Sequence, residues 1–324
     1  MMHLVQNLSS NPIYKNQPVC IFFLGLTLLL LPCLVIAKGS IQHKYDLTHA
    51  GTSPLALPSD VAIAPNGYIY IVDGGNHRIV VYDSDGSYLQ TIGSEGSTAG
   101  LFSGPMGISV DKKGHIYVAD TDNHRIQIFK SNGKFLRQFP VKLKGKNIRP
   151  IDIAVSPSGD KVYVTGNTNH QVMIYSLTFT LFGVNLTNWG GNGSNPGEFR
   201  YPATIAVNPQ GRVFVVDVLN SRVQQFDEKG KLLTMVGVWG VMPGQLFRPK
   251  GVAIDRYNNV YVSDSYLEVI QVFDSNSRFS HVLGSVNKPK KFITPGGIAV
   301  DKANHLYVAE MLANKVSVYD VIKK

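Results

Sequence analysis

Six times the chain returns to one pattern, and that period restricts its fold more than any other feature. A proline opens each copy, at Pro58, Pro105, Pro150, Pro202, Pro249 and Pro295. The copy running from Pro105 to Phe139 shows the pattern most plainly. It holds four short apolar runs, Ile108–Val110, Ile116–Ala119, Ile126–Phe129 and Phe135–Phe139. Between them lie Lys112-Lys113-Gly114, Thr121-Asp122-Asn123 and Ser131-Asn132-Gly133. β-Branched and aromatic runs split by Gly, Asn and Asp clusters read as strands joined by hairpin turns. Each copy is therefore a four-stranded antiparallel meander, and a fixed period of this length marks an array of such units.

A second pattern, D-x-x-N-x-R, recurs between the second and third strands. It is intact at Asp73, Asn76 and Arg78, at Asp120, Asn123 and Arg125, and at Asp217, Asn220 and Arg222. The stretch Asp120…Asn123-His124-Arg125-Ile126 resembles the NHL repeat, a family of six-bladed β-propellers. The resemblance covers about residues 41–322 and implies an all-β ring with each meander as one blade. The first strands, such as Val61–Ala64 and Ile298–Val300, would then lie innermost, buried between neighbouring blades. The second strands repeat a ring at one position (Tyr70, Tyr117, Tyr163, Phe214, Tyr261, Tyr307), which can fill the wedge between adjacent sheets. The first turn needs a residue that tolerates positive φ, and the copies supply Gly67, Gly114, Gly159, Gly211, Asn258 and Asn304. The third blade is the least regular. The sixth stops short, with only six residues after Val316–Val318. The spare segment Ile41–His49 reads as its missing fourth strand, which would close the ring beside Val316–Tyr319.

For the D-x-x-N-x-R residues a structural role is expected: Asp and Arg tie the turn, and Asn accepts the left-handed conformation. His77, His124 and His170 share one position in consecutive blades, but strand spacing holds such turns roughly 10 Å outside the inner strands. Zinc–nitrogen bonds are ~2 Å, so these histidines cannot share an ion. The family's amidating lyases carry zinc on histidines just after the opening prolines. Here those positions hold Ser59, Met106, Ile151, Ala203, Lys250 and Gly296. One residue further on, near the axial channel, Asp60, Asp152 and Thr204 offer oxygens for a calcium-like hard cation. The competing reading is that they cap strand ends. No Ser-His-Asp signature, phosphate-binding glycine loop or HExxH motif is present.

Residues 1–37 lie outside the repeats. Val19–Ala37 is an uncharged apolar run that contains both cysteines, Cys20 and Cys33, so the repeat region has no disulfide or thiolate metal site. The run follows Lys15 and ends Val35-Ile36-Ala37, which suits a signal peptide cleaved after Ala37 or an uncleaved transmembrane anchor. The expectation is an exported protein, periplasmic, secreted or on the cell surface, with a monomeric propeller over residues 38–324. Its net charge is +9, of which the leader removes only Lys15. In a propeller the inner strands start on the face that also carries the second turns and the connectors between blades. That face holds Lys142, Lys144, Lys146, Arg149, Arg200, Arg248, Lys250, Lys288, Lys290 and Lys291. Trp189, Phe199, Tyr201, Trp239, Phe247 and Tyr266 belong to the same loops. Basic loops with interleaved aromatics suit an anionic glycan or lipid headgroup, or a protein partner. Nucleic acid fits the charge but conflicts with the leader. The expected function is a binding or scaffolding module. The alternative is a divergent propeller lyase or hydrolase with a hard cation at the axial channel.

Overall fold

The computed structural model describes residues 39–285 and 288–323. The apolar run 19–37 lies outside them, and among the described residues no helix is long and apolar enough to cross a membrane.

Five blades are consecutive four-stranded antiparallel meanders. Blade two consists of Pro105–Val110, Ile116–Asp120, Arg125–Phe129 and Phe135–Pro140. Its inner strand starts at the proline, three residues ahead of the apolar run. A bulge between Pro105 and Ile108 lets the polar opening residues pair as well. The same shift recurs in all six inner strands. All six first-turn residues have positive φ, from 63° at Asn258 to 89° at Gly67.

The sixth blade is assembled from both ends of the described chain. Pro295–Val300, His305–Glu310 and Lys315–Lys323 supply three strands, and Gly39–Leu47 supplies the outer one. The pairing runs from Gly39 opposite Lys323 to Leu47 opposite Val316, with a bulge at Lys44. The closing strand therefore starts earlier than expected and stops at Leu47. His49–Ala50 instead pairs with Ser53–Pro54. The last residues of the chain, too few for a turn and a new strand, lengthen the third strand. Lys315 adds an ion pair to Asp46 at 3.0 Å.

Six apolar clusters hold the ring together, one between each pair of neighbouring blades. The second-strand aromatics sit in them, all buried. Tyr70 and Tyr163 also cross to the next blade, donating to the carbonyls of Ser131 and Glu228. The closing strand contributes to two clusters, with Leu47 and Tyr45 on one side and Ile41 on the other.

Candidate functional site

The second turns and the connectors form one face, and the D-x-x-N-x-R residues bind the two together. In blade two, Asp120 is fully buried and accepts from Arg125 Nε at 2.7 Å. Its other oxygen accepts the backbone N–H of Ser103, in the connector leading into the blade. Arg125 donates onward to the carbonyls of Ser97, Thr98 and Leu101 in that connector. Blade four repeats this with Asp217, Arg222 and the carbonyls of Asn195 and Glu198. Blade one does so with Asp73, Arg78 and Pro54. A glutamine two residues after the arginine completes the clamp. Gln127 donates to Leu101 O and accepts from Gly100 N, and Gln224 and Gln271 do the same in their blades. The pattern is therefore D-x-x-N-x-R-x-Q in blades two and four, a signal the sequence carried and the shorter motif omitted.

The left-handed residue of this turn is the one after the asparagine: His77 has φ 52°, His124 55°, His170 54° and Ser221 54°. The expectation that Asn takes this conformation is corrected. Asn76, Asn123 and Asn220 instead donate to their aspartates and to connector carbonyls. Two of the histidines, His77 and His170, reach the following blade. His77 Nδ1 accepts from Gly104 N, and His170 Nδ1 accepts from Tyr201 N, each residue preceding an opening proline. Asn314 closes the ring in the same way by accepting from Leu57 N.

At the axis, Asp60, Asp152 and Thr204 line one cavity of about 260 Å³, so the structure brings together the three oxygen-bearing residues singled out in the sequence. Each of them also bonds to a neighbouring inner strand. Asp60 accepts from Ile108 N in the next blade, and Asp152 accepts from Ile205 N and Ile153 N. Thr204 Oγ1 donates to Lys250 O. Burial pushes the Asp60 carboxyl up to about 7, and burial with the charge of Asp60 raises Asp152 well above the usual range. Among the described residues no group of three or more His, Cys, Asp or Glu is placed to hold a metal ion. Asp60, Asp152 and Thr204 tie neighbouring inner strands together, the capping role weighed against a cation site. A side chain at Gly297 would collide with Asp60, and one at Gly107 with Asp152. This alternation of Gly and Asp around the mouth was visible in the sequence.

The basic residues divide into groups. Lys142–Leu143 and Lys146–Asn147 form a small hairpin, held to blade three by Tyr175 Oη donating to Lys142 O. Lys142, Lys144, Lys146 and Arg149 are all exposed, and Arg149 pairs with Asp122. Lys288–Pro289 pairs with Gly284–Ser285, which in turn pairs with the closing strand at Ser40. Lys288, Lys290 and Lys291 therefore sit beside the outer strand of blade six. Arg200 and Arg248 are exposed just ahead of or near their inner strands. Lys250 is half-buried at the mouth, and burial, then the neighbouring Arg248 charge, lowers its pKa. Exposed acids on this face are few: Glu95, Asp122 and Glu268. On the opposite turns half-buried aspartates such as Asp83, Asp111, Asp227, Asp274 and Asp301 stand among exposed Lys112, Lys113, Lys130, Lys134, Lys229, Lys231, Arg278 and Lys302. Both faces are therefore basic, and the connector side differs in carrying its cations on hairpins and strand openings, mostly away from turn aspartates.

The aromatics also separate. Phe199 is fully buried, and Trp189 packs against Tyr163 and Phe226, so neither belongs to the surface set. Tyr201, Trp239 and Tyr266 are exposed. Trp239, Phe247 and Tyr266 form a stack with centroid separations of 6.5 and 4.2 Å. Arg248 lies over the Phe247 ring at 5.4 Å.

The NHL-repeat family model matches residues 55–82, 102–129 and 199–226. These stretches contain the first three strands of blades one, two and four, where the D-x-x-N-x-R residues are intact. No curated sequence matches the chain. Among solved structures, a streptogramin B lyase is similar at 14% identity and TM-score 0.60, over 87% of this chain and 98% of that one. A virginiamycin B lyase from Staphylococcus aureus is similar at 15% and 0.61, over 88% and 100%. A protein of unknown function from Bacteroides thetaiotaomicron is similar at 17% and 0.63, over 88% and 75%. At these identities the likeness extends to the fold alone.

Proposed function

Because the chain is a six-bladed β-propeller built on NHL repeats, we propose that it is a binding module that receives an anionic partner on its connector face. The observation that carries this reading is the set of exposed lysines and arginines on connector hairpins and strand openings, where exposed carboxylates are few. On the opposite turns most exposed lysines and arginines lie within a few residues of a turn aspartate. Unneutralised charge on one face steers an anionic ligand to that face and fixes its orientation. The axial residues are used to clamp the inner strands, so the module reading is favoured over a lyase or hydrolase at the channel. The apolar run 19–37 supports placing this activity outside the cytoplasm.

A titration with heparin, a sulfated glycan, at a series of salt concentrations tests the proposal. Measurable affinity that falls as salt rises is expected, because screening acts over ~8–10 Å near physiological ionic strength. Absence of binding at low salt would refute an anionic partner of this class.

A further inference from the structure

Three connectors share one backbone, and only one of them is apolar at its tip. Residues 93–104, 190–201 and 237–248 each join an outer strand to the next inner strand. Gly93, Gly190 and Gly237 have φ 75°, 98° and 74°, and Gly100, Gly197 and Gly244 have 88°, 87° and 84°. Each loop carries the same parallel bridge, Glu95 to Phe102, Asn192 to Phe199 and Trp239 to Leu246. The second glycine named in each loop donates its N–H to a glutamine at one equivalent position, Gln127, Gln224 or Gln271.

On this common scaffold the first loop exposes Ser94, Glu95, Ser97 and Thr98, and the second exposes Asn192, Ser194 and Asn195. The third places Val238, Trp239, Val241 and Met242 at the equivalent positions, exposed by 54%, 71%, 60% and 61%. Two polar copies show that the loop geometry does not need those apolar groups. The third loop has also lost its acids: Glu95 is matched by Trp239 and Glu198 by Gln245. Arg248 follows directly, and exposed Tyr266 stacks beside Phe247.

We propose that this loop inserts its tip into the interfacial region of an anionic lipid bilayer. The inference rests on the connector face being the binding face and names its partner as a membrane surface. A tip surrounded by water suits a deformable phase that yields around it. Trp and Tyr prefer the headgroup level, and Arg beside them pairs with anionic lipid. The absence of carboxylates removes the repulsion that the other two loops would meet. Insertion of a loop already fixed by hydrogen bonds loses little conformational entropy.

The chain has two tryptophans, and Trp189 packs between Tyr163 and Phe226. With Trp189→Phe in the full chain, emission reports Trp239 alone, even if the apolar run 19–37 also binds lipid. The probe is phosphatidylcholine vesicles containing about one-third phosphatidylglycerol. A blue shift of Trp239 and quenching by brominated lipid are expected. Arg200→Gln with Arg248→Gln should raise the vesicle concentration needed for half the shift by roughly tenfold or more. A loop variant carrying Val238→Gly, Trp239→Asn, Val241→Ser and Met242→Asn takes residues that the same backbone already accepts at 191–195. With residues 1–37 removed from both proteins, it should sediment with vesicles far less than its parent. An unshifted Trp239, or equal sedimentation of the two, overturns the inference. If heparin still binds in that case, the connector-face reading stands and only the membrane is excluded. If neither probe binds, both fall.

Discussion

Replacing Asp120 by Ala should be among the most damaging single changes in the propeller, although it touches no apolar core. Its carboxylate is fully buried and receives Arg125, Asn123, Gln127 and the Ser103 N–H. Removing one member of a buried ion pair costs about 3–5 kcal/mol, because the other charge stays buried without compensation. Arg125 keeps three carbonyl acceptors, which argues for the lower end, about 3 kcal/mol. At roughly 2–4 °C per kcal/mol for a large domain, the melting temperature should fall by about 6–12 °C. Asp120→Asn keeps the shape but leaves the Arg125 charge uncompensated and turns one acceptor into a donor facing donors, so it should also cost about 3 kcal/mol. The assay is urea denaturation of a double-mutant cycle with Arg125→Met. A coupling of at least about 1 kcal/mol is expected between the two sites. Asp122→Ala serves as control, since its pair with Arg149 is about half exposed on both sides and should contribute roughly 0–1 kcal/mol. Coupling near zero at Asp120, or a loss no larger than at Asp122, would refute the clamp.

Two further predictions concern closure and the axis. Deleting residues 39–47 leaves the outer edge of the strand Lys315–Lys323 unpaired and uncovers Val316, Val318 and Tyr319, so a large drop in melting temperature or aggregation is expected. Trimming Ile322 to Lys324 removes only the end of that ladder and should do little; equal melting curves for the two would contradict closure by this strand. At the axis, the raised Asp60 and Asp152 carboxyls favour the protonated folded state. Their contribution is full below the unfolded value near ~4 and is lost as pH rises through about 7. Asp152→Asn should flatten that decline in a pH series of denaturation midpoints. An unchanged slope would show that the pair does not titrate in this window.

Much of the ring was legible from residues alone because propellers repeat their constraints. Six prolines, six second-strand rings and six turn residues tolerant of positive φ each name one position in every blade. The closing strand followed from a count of residues left after Val318. Its limits did not, because where a terminal strand stops depends on which edge it finds. The Asp60–Asp152 site was placed around the axis, but its bonds from blade to blade were not legible. Sequence shows two carboxyls near a channel, whereas only the fold shows Ile108 and Ile205 pointing their N–H groups at them. Phe199 and Trp239 read alike as aromatic loop residues. They separate once the parallel bridge is seen, since Phe199 is the bridge's buried member and Trp239 its exposed one. The apolar tip of the third connector was hidden for the same reason: its meaning comes from superposing three loops whose sequences share little beyond glycine.

The most direct test of the account compares two faces at equal charge. One variant changes Lys142, Lys144 and Lys146 to Gln on the connector side. The other changes Lys112, Lys113 and Lys134 to Gln on the opposite turns. Heparin affinity is measured for both across a salt series. The account predicts that the connector variant loses affinity and flattens the salt dependence, while the opposite-face variant stays close to the parent. Equal loss in the two variants would mean that only net charge attracts the ligand, and would contradict a dedicated binding face.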